Sequence, residues 1–394
     1  MSSNGGYNFL PMKRIYLDNN ATTMVSPAAA REQAKYQSVH YGNPSSLHNF
    51  GLDTRPELRK ALDNIYRLIN AADEDDVLIT SGAAEANNHV IKSIFFQGKK
   101  NHYITANIEH PTVYKTFEYL EKMGAQVTYL PCDKNGIVSA VQVKEALTDK
   151  TALVSIMLAN NEIGTILPIK EIAAVCREAG VLIHTDATQA IGKIPVDVQD
   201  MGVDYLSFSA HKFHGPKGVG GLYVRKGKRL EPLFHGGEQM ANLRAGTLNV
   251  PGIVGMGIAA QEALDGLKHE ATEVKRLRDK LESFILQNIP DTFLNGDKDK
   301  RTPNTLNVAF KDCEGEALLW DLNEHGIAAS TGSACASEEL ESSRVLRALG
   351  IDKALSHMAV RFSLSRFTTE AEIDYVISAL PGIIKRLREI SSGK

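Results

Sequence analysis

Val181-Leu182-Ile183-His184-Thr185-Asp186-Ala187-Thr188-Gln189 is a short apolar run that ends on a carboxylate and small polar residues. Runs of the same kind recur at Val77–Thr80, His102–Thr105, Val127–Leu130, Ala152–Leu158, Asp204–Ser207 and Gly221–Val224. Amphipathic stretches separate several of them. In Glu57–Asn70, for example, Leu58, Ala61, Leu62, Ile65, Leu68 and Ile69 share one helical face. Apolar strands without polar alternation, separated by helices, predict an α/β fold: a mostly parallel seven-stranded sheet covered on both faces.

The pattern changes near Asn249. A long helical region follows, with Val274, Leu277, Leu281, Phe284 and Ile285 on one stripe. Strand-like segments come next at Thr305–Phe310, Ile327–Ser330 and Ala359–Leu364. A closing helix carries Ile373, Val376, Ile377, Leu380, Ile383 and Ile384. Residues 27–265 are therefore expected to form a large unit, and residues 1–26 with 266–394 a smaller α+β unit packed against it.

The balance of 43% apolar and 23% charged residues is that of a globular chain. The net charge of -3 provides no field for nucleic acid or an anionic membrane. No apolar run approaches the ~20 residues that span a bilayer. Met1–Met12 lacks the basic start and apolar stretch of a signal peptide, so a cytoplasmic location is expected. Cys132, Cys176, Cys313 and Cys335 are too few and too scattered for a disulfide framework.

Several segments carry chemistry. Ser209-Ala210-His211-Lys212 follows a strand and places an amine beside an imidazole and a hydroxyl. Such an amine can join an aldehyde cofactor as a Schiff base, and Ser and His can bind a phosphate. Asp186 ends its strand at the carboxyl edge of the sheet, where ligands of open α/β folds bind. A carboxylate there can keep a pyridine nitrogen protonated. Thr80-Ser81-Gly82-Ala83-Ala84-Glu85-Ala86-Asn87 leads from a strand into a helix whose first N–H groups suit a phosphate. His110, before Pro111, can stack on a flat ring or move protons. Cys335, in Ser330-Thr331-Gly332-Ser333-Ala334-Cys335-Ala336-Ser337, sits among small residues in a stretch read as a mobile loop. Taken singly, each segment also has an ordinary reading as a solvated lysine, a helix cap, a strand-to-helix turn or a surface thiol. His211 and His214 have no further ligands at metal-site spacing, so no resident metal is expected.

Together the segments resemble the cysteine desulfurases of the NifS/IscS type, in the class V group of fold-type I pyridoxal-phosphate enzymes. The resemblance runs from about Ile15 to about Leu387. It includes Asp18-Asn19-Asn20-Ala21-Thr22-Thr23, Gly42-Asn43-Pro44-Ser45-Ser46, Asn160-Asn161-Glu162-Ile163-Gly164, Arg244-Ala245-Gly246-Thr247 and Arg361-Phe362-Ser363-Leu364-Ser365-Arg366. The opening motif and Arg-Ala-Gly-Thr are closer to the NifS branch. The resemblance implies pyridoxal 5'-phosphate on Lys212, with Asp186 on the pyridine nitrogen, Gln189 on the ring hydroxyl and His110 stacked on the ring. It implies phosphate contacts from Ser209, His211, Ala83 and Ala84, and one from Thr247 of the other subunit of a homodimer. Asn161 and Arg361 would fix L-cysteine, with Arg361 on its carboxylate. Cys335 would take the sulfur as a persulfide and pass it to an iron–sulfur scaffold protein. A nascent cluster on Cys335 would be a transient state.

Three features depart from the family pattern. Ala84 stands where a threonine usually contacts the phosphate. The segment Gly237–Arg244 lacks the usual Glu-Arg-Gly, which bears on the local loop and the dimer contact. The chain ends at Lys394 without the longer tail of IscS-type members, which points to a different docking surface or scaffold. Two other functions compete. One is a relative that catalyses transamination or selenocysteine cleavage, although transamination needs no protein thiol. The other is a non-catalytic subunit that kept the fold, which the set Lys212, Asp186 and Cys335 disfavours.

Overall fold

The computed structural model describes residues 14–332 and 343–392. Strand β1 (Ile15–Tyr16) precedes the main sheet. The main sheet contains β2 (Asp76–Thr80), β3 (His102–Ala106), β4 (Gln126–Leu130), β5 (Thr151–Ser155), β6 (Leu182–Asp186), β7 (Tyr205–Ser209) and β8 (Gly220–Val224). Its order is β2-β8-β7-β6-β5-β3-β4. Only β8 runs against its neighbours, pairing antiparallel with both β2 and β7. All seven predicted runs are thus strands of one mostly parallel sheet. The run at Ala152–Leu158 leaves the ladder after Ser155, although Ile156 and Leu158 still donate to the carbonyls of His184 and Asp186.

The strands β3, β5, β7 and β8 are buried along their whole length. That burial is why they read as apolar runs rather than alternating ones. The helix Arg55–Ile69 buries Leu58, Ala61, Ile65, Leu68 and Ile69 on one face. It packs against the long helix Val250–His269, where Gly257 lies so close to Ala61 that a Cβ would overlap its Cα at 2.4 Å.

A second sheet joins β9 (Thr292–Leu294), β10 (Thr305–Phe310) and β12 (Ala359–Ser363) in the order β12-β10-β9. The short β11 (Ile327–Ala328) pairs in parallel with β1. Ile15 and Leu17 share a buried cluster with Leu277, Leu281, Val308, Phe362 and Leu380. The N-terminal strand thus packs with the C-terminal third of the chain. The helix Val250–His269 passes through a π turn at Glu270–Val274 into the helix Lys275–Asn288. Among the described residues, no helix is long and apolar enough to cross a membrane.

Candidate active site

The carboxyl ends of β2, β3, β6 and β7 open onto one edge of the main sheet. The segments that follow them line a cavity of about 290 Å³. Ala83, Ala84, His110, Asn161, Asp186, Gln189, Ser209, His211, Lys212 and Arg361 all line it. Larger clefts of about 850 and 410 Å³ lie elsewhere, between Asn288 and Ser392 and around Arg177 and Arg225. They bring together no comparable set of amine, imidazole and carboxylate, so chemistry rather than size selects the smaller cavity.

Lys212 ends the short 3-10 turn Ala210–Lys212 that follows β7. Its Nζ donates to the carbonyls of Asn20 at 2.6 Å and Ala21 at 2.8 Å. The N-terminal segment is pinned onto this turn, because Thr23 donates its N–H and hydroxyl to the His211 carbonyl and its Oγ1 accepts from His214 N.

Asp186 is the last residue of β6 and is buried. Its Oδ1 accepts from Thr188 N at 2.9 Å and its Oδ2 from Asn87 Nδ2 at 2.8 Å. These two bonds fix both carboxylate oxygens in place at the cavity wall. His110 caps the helix Pro111–Glu121, and its Nδ1 accepts from Thr112 N at 3.2 Å. Burial, ahead of the opposing Asp186 and the reinforcing Lys212, pushes its pKa down. A neutral ring whose Nδ1 accepts must carry its proton on Nε2. Burial, and then Lys212, lowers His211 to about 4. His211 is therefore a neutral donor near pH 7.

At the start of the helix Ala83–Phe96, Ala83 N donates to Ser209 Oγ at 2.7 Å. Gly82 precedes this helix with φ +153° and ψ 178°, a region that L side chains rarely enter. The strand β8 also crowds it, since a Cβ on Gly220 would lie 2.7 Å from the Gly82 Cα. This tight turn presents the helix start to the cavity.

At the other wall, Arg361 on β12 donates to the Asn161 carbonyl at 2.8 Å and to Asp18 Oδ1 at 2.7 Å. Its buried Nε has no partner among the described residues, nor has the buried hydroxyl of Thr188 on the cavity wall. Unsatisfied buried donors of this kind mark where a polar ligand fits.

Two expected site residues lie apart. Thr247 is exposed and does not line the cavity. Cys335 lies outside the described residues, whose nearer boundary, Gly332, is on the cavity wall. The other three cysteines are poor nucleophiles. Burial raises Cys132 to about 11 and Cys176 to about 12, and also raises Cys313.

Sequence reasoning did not single out Asn20, Asn87, Thr112, Thr188, Glu162 or Lys193. Asn20, Asn87, Thr188 and Glu162 fall inside motifs it quoted. Lys193 had only one signal, a lysine inside the run Ala190-Ile191-Gly192-Lys193-Ile194.

Residues 15–376 match the aminotransferase class-V family. The chain is 46% identical over 383 residues to a cysteine desulfurase IscS of Clostridium botulinum, covering 96% of each. It is 46% identical over 381 residues to the cysteine desulfurase NifS of Azotobacter vinelandii, covering 96% of this chain and 95% of that one. A solved NifS-like protein, 38% identical, superposes with a TM-score of 0.87 over 97% of this chain and 100% of its own.

Proposed function

The chain belongs to the aminotransferase class-V family, and on that premise we propose that it is a cysteine desulfurase, a sulfurtransferase of the NifS/IscS type. The observation that carries the reading is the convergence of Lys212, Asp186 and His110 on one cavity at the carboxyl edge of the sheet.

The cavity fits pyridoxal 5'-phosphate. It offers an amine, a hydrogen-bonded carboxylate, a neutral imidazole, a helix start for a phosphate and the unpartnered Thr188 hydroxyl. Lys212 would hold the aldehyde carbon, Asp186 the pyridine nitrogen and Gln189 the ring hydroxyl. His110 would cover the ring. Ser209, His211 and the N–H groups of Ala83 and Ala84 would hold the phosphate, and those N–H groups do not depend on a threonine at 84. Thr247, exposed on its own subunit, would reach the phosphate of a partner in a homodimer. Bound there, the cofactor supplies a carbonyl that condenses with amines and a protonated ring that withdraws electrons.

The chain's own groups do the rest. Arg361 and Asn161 hold L-cysteine, with Arg361 on the carboxylate. Lys212, its amine freed, moves the α-proton. The Cys335 thiolate attacks the substrate sulfur. An S–S bond forms, and the Cβ–S bond breaks with its electron pair left on carbon. That carbon takes a proton, so L-alanine leaves and Cys335 keeps a persulfide. An iron–sulfur scaffold protein then accepts the sulfur, in the cytoplasm. In this reading residues 27–265 carry the cofactor, and residues 1–26 with 266–394 bring Arg361 and Cys335.

The test is incubation with L-cysteine followed by mass spectrometry of the Cys335 peptide. One added sulfur atom is expected, together with alanine in solution. Unmodified Cys335, or full desulfuration by Cys335→Ala, overturns the reading.

A further inference from the structure

Lys193 does not line the cavity but borders a small neighbouring void, and it is 6% exposed. Its Nζ donates to Gln189 Oε1 at 2.5 Å and to Asn20 Oδ1 at 3.1 Å. Gln189 Nε2 donates to the backbone carbonyl of Asn20 at 2.9 Å. Asn20 is itself fixed: its Nδ2 donates to the Asn161 carbonyl at 3.2 Å and Thr305 Oγ1 at 2.9 Å, and its Oδ1 also accepts from Asn304 Nδ2 at 3.0 Å.

A backbone carbonyl can only accept and an ammonium can only donate. These contacts therefore allow one orientation of the Gln189 amide. Its oxygen faces Lys193, and one Nε2 hydrogen is taken by Asn20. The remaining hydrogen is left for the cavity that Gln189 lines. Behind it, Lys193, Lys212, His214 and Glu270 border a void of about 10 Å³, about the smallest that admits one water. Glu270 opens the π turn at the junction of the two long helices, and its buried Oε2 has no partner among the described residues. A π turn in a helix is often found at functional sites.

We propose that Lys193 is a positioning residue of the cofactor site: through Gln189 it turns an N–H donor toward the ring oxygen, so that the site favours the anionic form of that oxygen. The proposal rests on the cofactor assignment above and deepens it. The charged and titratable groups around Lys193 are Lys212, Arg361, Glu270, His211 and His214, with Arg366 facing Glu270 and His214. Burial, then Lys212, lowers Lys193 to about 7, with Glu270 opposing. Burial raises Glu270 to about 7, with Lys193 and Arg366 opposing. Whether that pair is charged or neutral, Nζ keeps at least two N–H groups for Gln189 and Asn20.

The experiment compares wild type, Lys193→Met, Gln189→Leu and the double variant. Each is loaded with pyridoxal 5'-phosphate and its visible absorption is titrated with pH. Without the donor, the ring oxygen is less stabilised as an anion, and the chromophore holds its proton to higher pH. The midpoint should rise by about one pH unit in Lys193→Met, the worth of one hydrogen bond to a charged group. Gln189→Leu, which removes the donor without adding a charge beside Lys193, should shift it the same way, and Lys193→Met should add nothing in that background. A wild-type midpoint in Lys193→Met, or additive shifts in the double variant, overturns the proposal. Should Lys193→Met not fold, an unmoved midpoint in Gln189→Leu overturns it. A wild type that gains no visible absorption sinks the cofactor assignment instead, and is thereby told apart.

Discussion

Asn87 Nδ2 donates to Asp186 Oδ2 at 2.8 Å and to Thr112 Oγ1 at 2.9 Å, linking three segments that enter the cavity. One amide thus aims the Asp186 carboxylate and braces the helix that His110 caps. A hydrogen bond to a charged acceptor is worth ~1.5–3 kcal/mol. Asn87→Ala is accordingly expected to weaken pyridoxal-phosphate binding by about tenfold or more. Absorbance titration of the apoprotein measures this, and unchanged affinity would show that Asp186 is held without Asn87.

Arg244 reaches back from the segment that departs from the family pattern. It pairs with buried Glu85 at 2.9 Å, and Glu85 Oε2 also accepts from Ser81 N at 2.8 Å. The altered segment is therefore tied to the helix start at Ala83. Removing the guanidinium leaves a buried carboxylate short of a partner, so Arg244→Met should cost about 1–3 kcal/mol in urea unfolding. Burial alone would raise the Glu85 pKa, but the bonds from Arg244 and Ser81 outweigh it and hold the net value below 4.5. The contribution is therefore present above the ordinary carboxylate value and lost as pH falls through the folded one. The gap between wild type and variant should close on acidification.

His214 is buried, and its Nδ1 donates to the Met24 carbonyl at 2.9 Å. Burial, reinforced by Arg366, lowers its pKa from 6.5 to about 3. Between those values the unfolded chain binds a proton that the folded one refuses, so stability falls as pH falls. One such group contributes a slope of at most ~1.4 kcal/mol per pH unit. His214→Asn should show a shallower loss of unfolding free energy from pH 6.5 downward than wild type. Parallel curves would show that this imidazole is protonated in the folded protein.

Ser343 donates to the buried carboxylate of Glu162 at 2.5 Å, and a Cβ on Gly332 would lie 3.2 Å from the same carboxylate. The stretch that carries Cys335 thus leaves and rejoins the described chain at one side chain, next to Asn161. Ser343→Ala should slow persulfide formation several-fold while leaving cofactor affinity within about twofold, because the lost bond of ~1 kcal/mol acts at that anchor. Stopped-flow sulfur transfer and absorbance titration separate the two. An equal fall in both would place the effect in the cofactor site.

Much of the main sheet was legible because strands buried on both faces, as β3, β5 and β7 are, carry apolar residues toward both sides and few charges. The shorter β1 and β9 escaped notice, since two or three residues carry no period. Most cavity residues were legible as motifs, because Lys212, Asp186, His110 and Arg361 each follow or lie on a recognisable strand. Lys193 was not, because nothing local distinguishes a lysine with buried acceptors from one that reaches solvent.

The sequence by itself determined where the seven strands of the main sheet lie, that the sheet is mostly parallel, and that an amine, a carboxylate and an imidazole end or follow three of those strands. Period and burial are local properties, written in residue spacing. Only the tertiary structure decided how the polar groups are satisfied. Asn20 joins Gln189, Lys193 and Lys212 to Asn304 and Thr305, and Asn87 aims Asp186. The reason is physical. A buried donor must find an acceptor, and which one it meets depends on segments that lie hundreds of residues apart until the fold brings them together.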